Sequence, residues 1–132
     1  MSAIAVPAMA VGLGPMKREG VTVSEKKGFY LTVINPYPQT KQFRIVAREM
    51  ETEVPLDNVE ILPATGAIGG NTNRRVLVVF KNLEVGEVRQ ARVCARLDRP
   101  VQGVGIDARV CSKLQARRLA GVTDDLSTGG GE

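Results

Sequence analysis

From Val21 to Leu114, apolar and polar side chains alternate in short runs divided by turn residues, as in strands with one buried face. "GFYLTVIN" (28–35) sets Phe29, Leu31 and Val33 against Tyr30, Thr32 and Ile34, and "PYP" (36–38) stops it. "KQFRIVARE" (41–49) alternates more cleanly, with Phe43, Ile45 and Ala47 opposed to Gln42, Arg44, Val46 and Arg48. "NVEILPATG" supplies a short strand that ends at Pro63. "NRRVLVVFKN" (73–82) is a long one, rich in β-branched residues, whose inward set is Val76, Val78 and Phe80. "LEVGE" (83–87) turns the chain. No stretch between 20 and 114 keeps a 3.6-residue period over ten residues. The expected fold class is all-β, an antiparallel sandwich or barrel of about seven short strands.

Two near-identical heptapeptides follow, "ARVCARL" (91–97) and "ARVCSKL" (108–114). As the strands of one hairpin they point Ala91, Val93, Ala95 and Leu97, and Ala108, Val110, Ser112 and Leu114, toward the core. Both core sets must lie on the same side of the sheet, and a tight turn at Gln102-Gly103 then sets Cys94 opposite Cys111. The repeat is thus two neighbouring strands with one small-residue core pattern. Opposed Cβ atoms lie about 4.5–5.5 Å apart, near what a disulfide needs. An oxidising compartment favours the bond, and a bacterial cytosol favours free thiols. With no leader read at the start of the chain, free thiols are the expectation.

The first sixteen residues, "MSAIAVPAMAVGLGPM", carry no charged side chain. Ala8-Met9-Ala10 has the small-x-small form of a signal cleavage site, but a basic n-region is missing and Pro7 interrupts the apolar run. A membrane span would need about twenty unbroken apolar residues. Residues 1–20 are therefore expected to form an apolar arm or first strand, 21–116 the sandwich, and the glycine-rich 117–132 a flexible polar tail.

Composition then narrows the chemistry. The 132 residues are one domain's worth, 43% hydrophobic and 24% charged. With 4% aromatics and no Trp, the core must be built mainly from Val, Ile, Leu and Ala. Histidine is absent, which removes the commonest general base and the commonest transition-metal ligand together. Two cysteines alone cannot complete a tetrahedral zinc site. "GAIGGNTNRR" (66–75) lacks the Gly-Lys-Ser/Thr ending and the following helix of a phosphate loop, and reads as a turn. No catalytic residue, cofactor or metal ligand is assigned, and a non-enzymatic role is expected.

The order "VINPYPQTKQFRI", "VEILPATGAIGGNTNRRVLVVF", "VGEVRQARVCARL" resembles the immunoglobulin-like sandwich of the PapD-like superfamily. That group includes the first domain of periplasmic pilus chaperones and the major sperm protein domain. Asn35-Pro36, Leu62-Pro63, Gly70 and Asn73 through Val76 stand at its turns and strand entry, and the likeness covers about 21–115. The resemblance implies an immunoglobulin-like antiparallel β-sandwich. The pilus chaperones also hold a subunit's C-terminus with a basic residue near the first strand, for which Lys17 or Arg18 stands here. Their second such residue belongs to a further domain, to which no stretch of this sequence corresponds.

Within such a sandwich the strands at 41–49, 88–97 and 106–114 would be neighbours. Arg44, Arg48, Arg92, Arg96, Arg109 and Lys113 would then share one outward face, offset at those positions only by Asp107, in a chain of net charge +4. Like charges across strands are mildly destabilising, so the face is either a solvated guard against edge aggregation or a docking site. Its expected partner is an acidic protein surface. Nucleic acid is the weaker alternative, because the patch lacks stacking aromatics. Ile4, Val6, Met9 and Val11 of the arm are the second candidate contact, pairing in their own sheet or along a neighbour's edge. These features predict a structural or assembly protein acting through protein–protein contacts. The first reading is an accessory or decoration subunit of a phage-like virion, made in the cytosol. The alternatives are an exported, pilus-chaperone-like or surface-assembly domain, and then a basic nucleic-acid-binding module.

Overall fold

The computed structural model describes residues 11–98 and 109–120. Nine strands appear there: β1 (Gly12–Gly14), β2 (Lys17–Thr22), β3 (Lys27–Ile34), β4 (Lys41–Arg48), β5 (Val59–Leu62), β6 (Thr65–Ile68), β7 (Asn73–Phe80), β8 (Val88–Leu97) and β9 (Arg109–Arg118). They form a four-stranded sheet ordered β1-β3-β7-β5 and a five-stranded sheet ordered β2-β9-β8-β4-β6. The fold is an immunoglobulin-like β-sandwich.

The long strands lie where alternation put them, with the inward and outward sets as read. Phe29, Leu31, Val33, Val76, Val78 and Phe80 come from one sheet, and Phe43, Ile45, Ala47, Val93, Ala95 and Leu114 from the other. Their inner faces meet in one core, in which the Phe29 and Phe80 rings pack edge to face at 5.6 Å. Each large side chain so enclosed contributes roughly 1.5–3 kcal/mol relative to exposure.

The additional strands are short edge pieces in which period 2 has too few positions to show. β1 is "GLG", so a single inward side chain, Leu13, marks it. β2 is "KREGVT", largely polar on an edge. β6 (Thr65–Ile68) takes in residues 66–68, the first part of the stretch read as a turn. Strands therefore run from Gly12 to Arg118, wider than the 21–116 taken from sequence.

Twice the chain changes sheets at a proline. It leaves β1 beside β3, passes Pro15, and joins the other sheet as β2, parallel to β9. There the buried Ser112 hydroxyl donates to the Pro15 carbonyl, so the hydroxyl is not left unpaired in the core. It again leaves β5 beside β7, passes Pro63, and enters β6 beside β4.

Asn35 and Arg89 are among the polar side chains that tie the sheets together. Asn35, 1% exposed, places its amide nitrogen 2.9, 2.9 and 3.2 Å from the carbonyl oxygens of Gln39, Ile68 and Gly69. Its side-chain oxygen accepts the Tyr37 N–H at 2.9 Å. Gly70 lies against the same turn, where a Cβ would come within 1.9 Å of the Pro38 carbonyl oxygen, so no side chain fits. Toward the other end, Arg89 reaches from β8 to the carbonyls of Lys81 and Asn58 at 2.6 and 3.0 Å and pairs with Glu87.

Candidate functional site

Alternation fixes which side chains leave the core, and register fixes which of them meet. On the outer face of the five-stranded sheet, Arg44, Arg96 and Arg109 form one cross-strand row. Arg48, Arg92, Lys113 and Lys17 form a second. Val46, Cys94 and Cys111 lie between them. Four residues of extended chain separate the two rows, about 13 Å. All six basic residues named from sequence thus share this face. Lys17 is an addition that alternation could not supply, because it enters by the parallel pairing of β2 with β9.

Two acids from outside those strand positions also meet this face; Asp107, the one acid read at the strand positions, lies outside the described residues. Asp98, just past β8, pairs with Arg44 at 3.1 Å. Glu53, in the loop between β4 and β5, spans the rows: one carboxylate oxygen is 3.5 Å from Arg92 and the other accepts from Arg109. Arg48 donates to the Glu53 main-chain carbonyl at 3.1 Å. Loop geometry brings in an acid 56 positions from Arg109, a distance over which strand periodicity carries no information. The hydrogen bond from Arg109, with the charges of Arg109, Arg92 and Arg48, holds the Glu53 carboxyl below its ordinary pKa against an opposing desolvation effect. Arg44, Arg48, Arg96 and Arg109 line a depression of about 270 Å³ with Val46 and Cys94.

Cys94 and Cys111 face each other in the register taken from sequence and are joined as a disulfide, which corrects the expectation of free thiols. Their Cα atoms are 4.0 Å apart. That closeness belongs to the pairs of an antiparallel ladder that exchange no main-chain hydrogen bonds with each other. The neighbouring ladder agrees, since Arg118, an even-numbered residue of β9, donates its N–H to Glu87 on the β8 side.

This parity has a further result for β9. Its odd-numbered residues direct their main-chain groups away from β8, as Lys113 does in donating to Met16 at 2.8 Å. β2 begins opposite Lys113, so beside Arg109 and Cys111 no described strand takes those groups up. The N-terminal part of β9 is an open edge among the described residues.

Of the arm residues, Val11 is buried in the core and is not offered to a partner. Ile4, Val6 and Met9 lie outside the described residues. Among the described residues no group of three or more acidic or cysteine side chains is placed to hold a metal ion, and no helix is long and apolar enough to cross a membrane.

Neither family models nor curated proteins match the chain. Solved structures do. The Escherichia coli chaperone DraB superposes with a TM-score of 0.68 at 20% identity, over 83% of this chain and 56% of that one. The Salmonella enterica complex of the SafA pilin with the SafB chaperone gives 0.70 at 18% identity, over 95% and 63%. The PapD-like domain 7 of human CEP192 gives 0.60 at 11% identity, over 91% and 96%. The chain therefore spans 56% and 63% of the two bacterial chains and nearly all of the human domain. Two sheets between which the chain crosses from β1 to β2, the Asn35 turn and these superpositions together establish a PapD-like, immunoglobulin-type fold.

Proposed function

We propose that the chain is a non-enzymatic assembly module that takes an extended segment of a partner protein along the open edge of β9, as an exported, pilus-chaperone-like domain. The observation that carries this is the outward direction of the Arg109 and Cys111 main-chain groups beside no described strand. A strand added there gains affinity from main-chain hydrogen bonds, with little demand on sequence. The likeness to chaperones supports the reading, one of them being solved together with a pilin. The Cys94–Cys111 bond supports export, since such bonds persist in oxidising compartments. The reading as a virion decoration subunit draws no support from these likenesses.

The test is to express the chain with an export signal alongside the products of its neighbouring genes. A stoichiometric complex is expected, and the amides of Arg109 and Cys111, quick to exchange in the chain alone, should become protected within it. Arg109→Pro removes an outward N–H and leaves the ladder to β8 intact. It should weaken the complex about tenfold or more, whereas Arg109→Gln, which keeps the N–H, should not. If both variants bind equally well, or if those amides are already protected in the isolated chain, the edge is not the binding site.

A further inference from the structure

The two sulfurs of the Cys94–Cys111 bond stand in different surroundings. Cys94 lies on β8 with strands on both sides and is 5% exposed, whereas Cys111 is partly exposed and has β8 on one side only. The outer face above the pair is occupied. Arg92 and Arg109 stand on opposite sides of the cysteine row, so the Glu53 carboxylate that joins them passes over it and screens it on that side. Glu53 takes a φ of 59°, in the left-handed region, where the other described residues are Asn71, Asn82 and Gly86. Asparagine and glycine suit such a backbone and glutamate does not, so its place in the turn follows from what its side chain reaches. Toward the free side of β9, no described strand covers Cys111.

We infer that Cys111 is a thiol-exchange site, which a low-molecular-mass thiol reaches from the open side of β9. The site shares that edge with the proposed strand docking, and it holds whether or not a strand binds there. A thiolate attacks one sulfur of a disulfide and expels the other as a thiolate. Here the incoming sulfur bonds to Cys111 Sγ, the Cys94–Cys111 bond breaks, and its electron pair leaves on Cys94 Sγ. One disulfide replaces another, so no oxidant is consumed, and attack by Cys94 on the mixed disulfide restores the original bond. Cys94 suits the departing role because it borders the depression of about 270 Å³ together with Arg44 and Arg48. The new charge arises among guanidinium N–H groups and water, conditions that lower a thiol's pKa and speed its departure. The reverse assignment would require entry at the buried sulfur.

The test treats the full oxidised chain with reduced glutathione without denaturant, quenches with N-ethylmaleimide and maps both cysteines by peptide mass spectrometry. Glutathione should sit on Cys111 and maleimide on Cys94, about tenfold over the reverse placement, in a chain that keeps its circular dichroism. Arg48→Gln should slow the exchange about threefold without moving the adduct. Glu53→Gly suits the turn but removes the screen, and should raise the share of adduct on Cys94 about threefold. Exchange that begins only where urea unfolds the chain, an adduct chiefly on Cys94 in the unsubstituted protein, or no response to either substitution would overturn the proposal.

Discussion

Asn35→Ala should lower the stability of the domain by about 3 kcal/mol, a fall of about 10 °C in the melting midpoint. The side chain is buried and occupies the place where the turn after β3 meets the β6–β7 connection. Alanine would leave the carbonyls of Gln39, Ile68 and Gly69 and the N–H of Tyr37 without this partner. The Ile68 carbonyl is the most costly, because its bond to Asn35 is the fully buried one of the three. The other two sit at partly buried positions, where water recovers part of the loss. Thermal unfolding followed by circular dichroism measures the effect, and Asn35→Asp is the informative companion. It keeps the acceptor for Tyr37 but replaces the donor facing three carbonyls with a charge, so it should be at least as damaging as alanine. A loss under about 1 kcal/mol in both variants would mean that the turn is held by main-chain contacts alone.

Removing the bond between Cys94 and Cys111 should cost a similar amount, about 3 kcal/mol for a closure spanning 17 residues. Most of this acts on the unfolded chain, whose freedom the cross-link restricts. Urea unfolding of the oxidised protein and of the Cys94→Ser, Cys111→Ser double variant gives the comparison directly, and thiol titration of the native protein should find no reactive cysteine. The folded sheet should change little, because β8 and β9 remain paired over nine positions and Ala91, Val93, Leu114 and Ala116 still pack beneath them. Coincident urea midpoints for the two forms would show that the cross-link leaves the unfolded ensemble unrestrained.

Much of this molecule was legible from alternation alone. Phe43, Ile45 and Ala47 had to share a face, as did Val76, Val78 and Phe80, and parity then set Cys94 against Cys111 without any coordinates. The basic face followed from the same argument, because Arg44, Arg92 and Arg109 are displaced by odd numbers from core positions. What stayed hidden depends on contacts that periodicity does not encode. Glu53 reaches the arginines through a loop, and Arg89, at an inward parity, ends on main-chain carbonyls of Lys81 and Asn58 rather than in the aliphatic layer. The place of Lys17 on this face was hidden for another reason: β2 is parallel to β9, and a parallel neighbour leaves no hairpin in the sequence to announce it. The state of the cysteines depends on how close the register brings them, whereas their expected reduction had been drawn from compartment.

The side-by-side course of β2 and β9 has a mechanical result. Over six residue pairs, from Lys17 with Lys113 to Thr22 with Arg118, the two strands point the same way. Traction applied ahead of β2 and behind β9 therefore drags them in opposite senses along their length, and the rungs between them carry the load at once instead of parting one by one. Tension drawn between β2 and β9 meets their pairing in shear, while force at the β6 border would unzip that strand from β4.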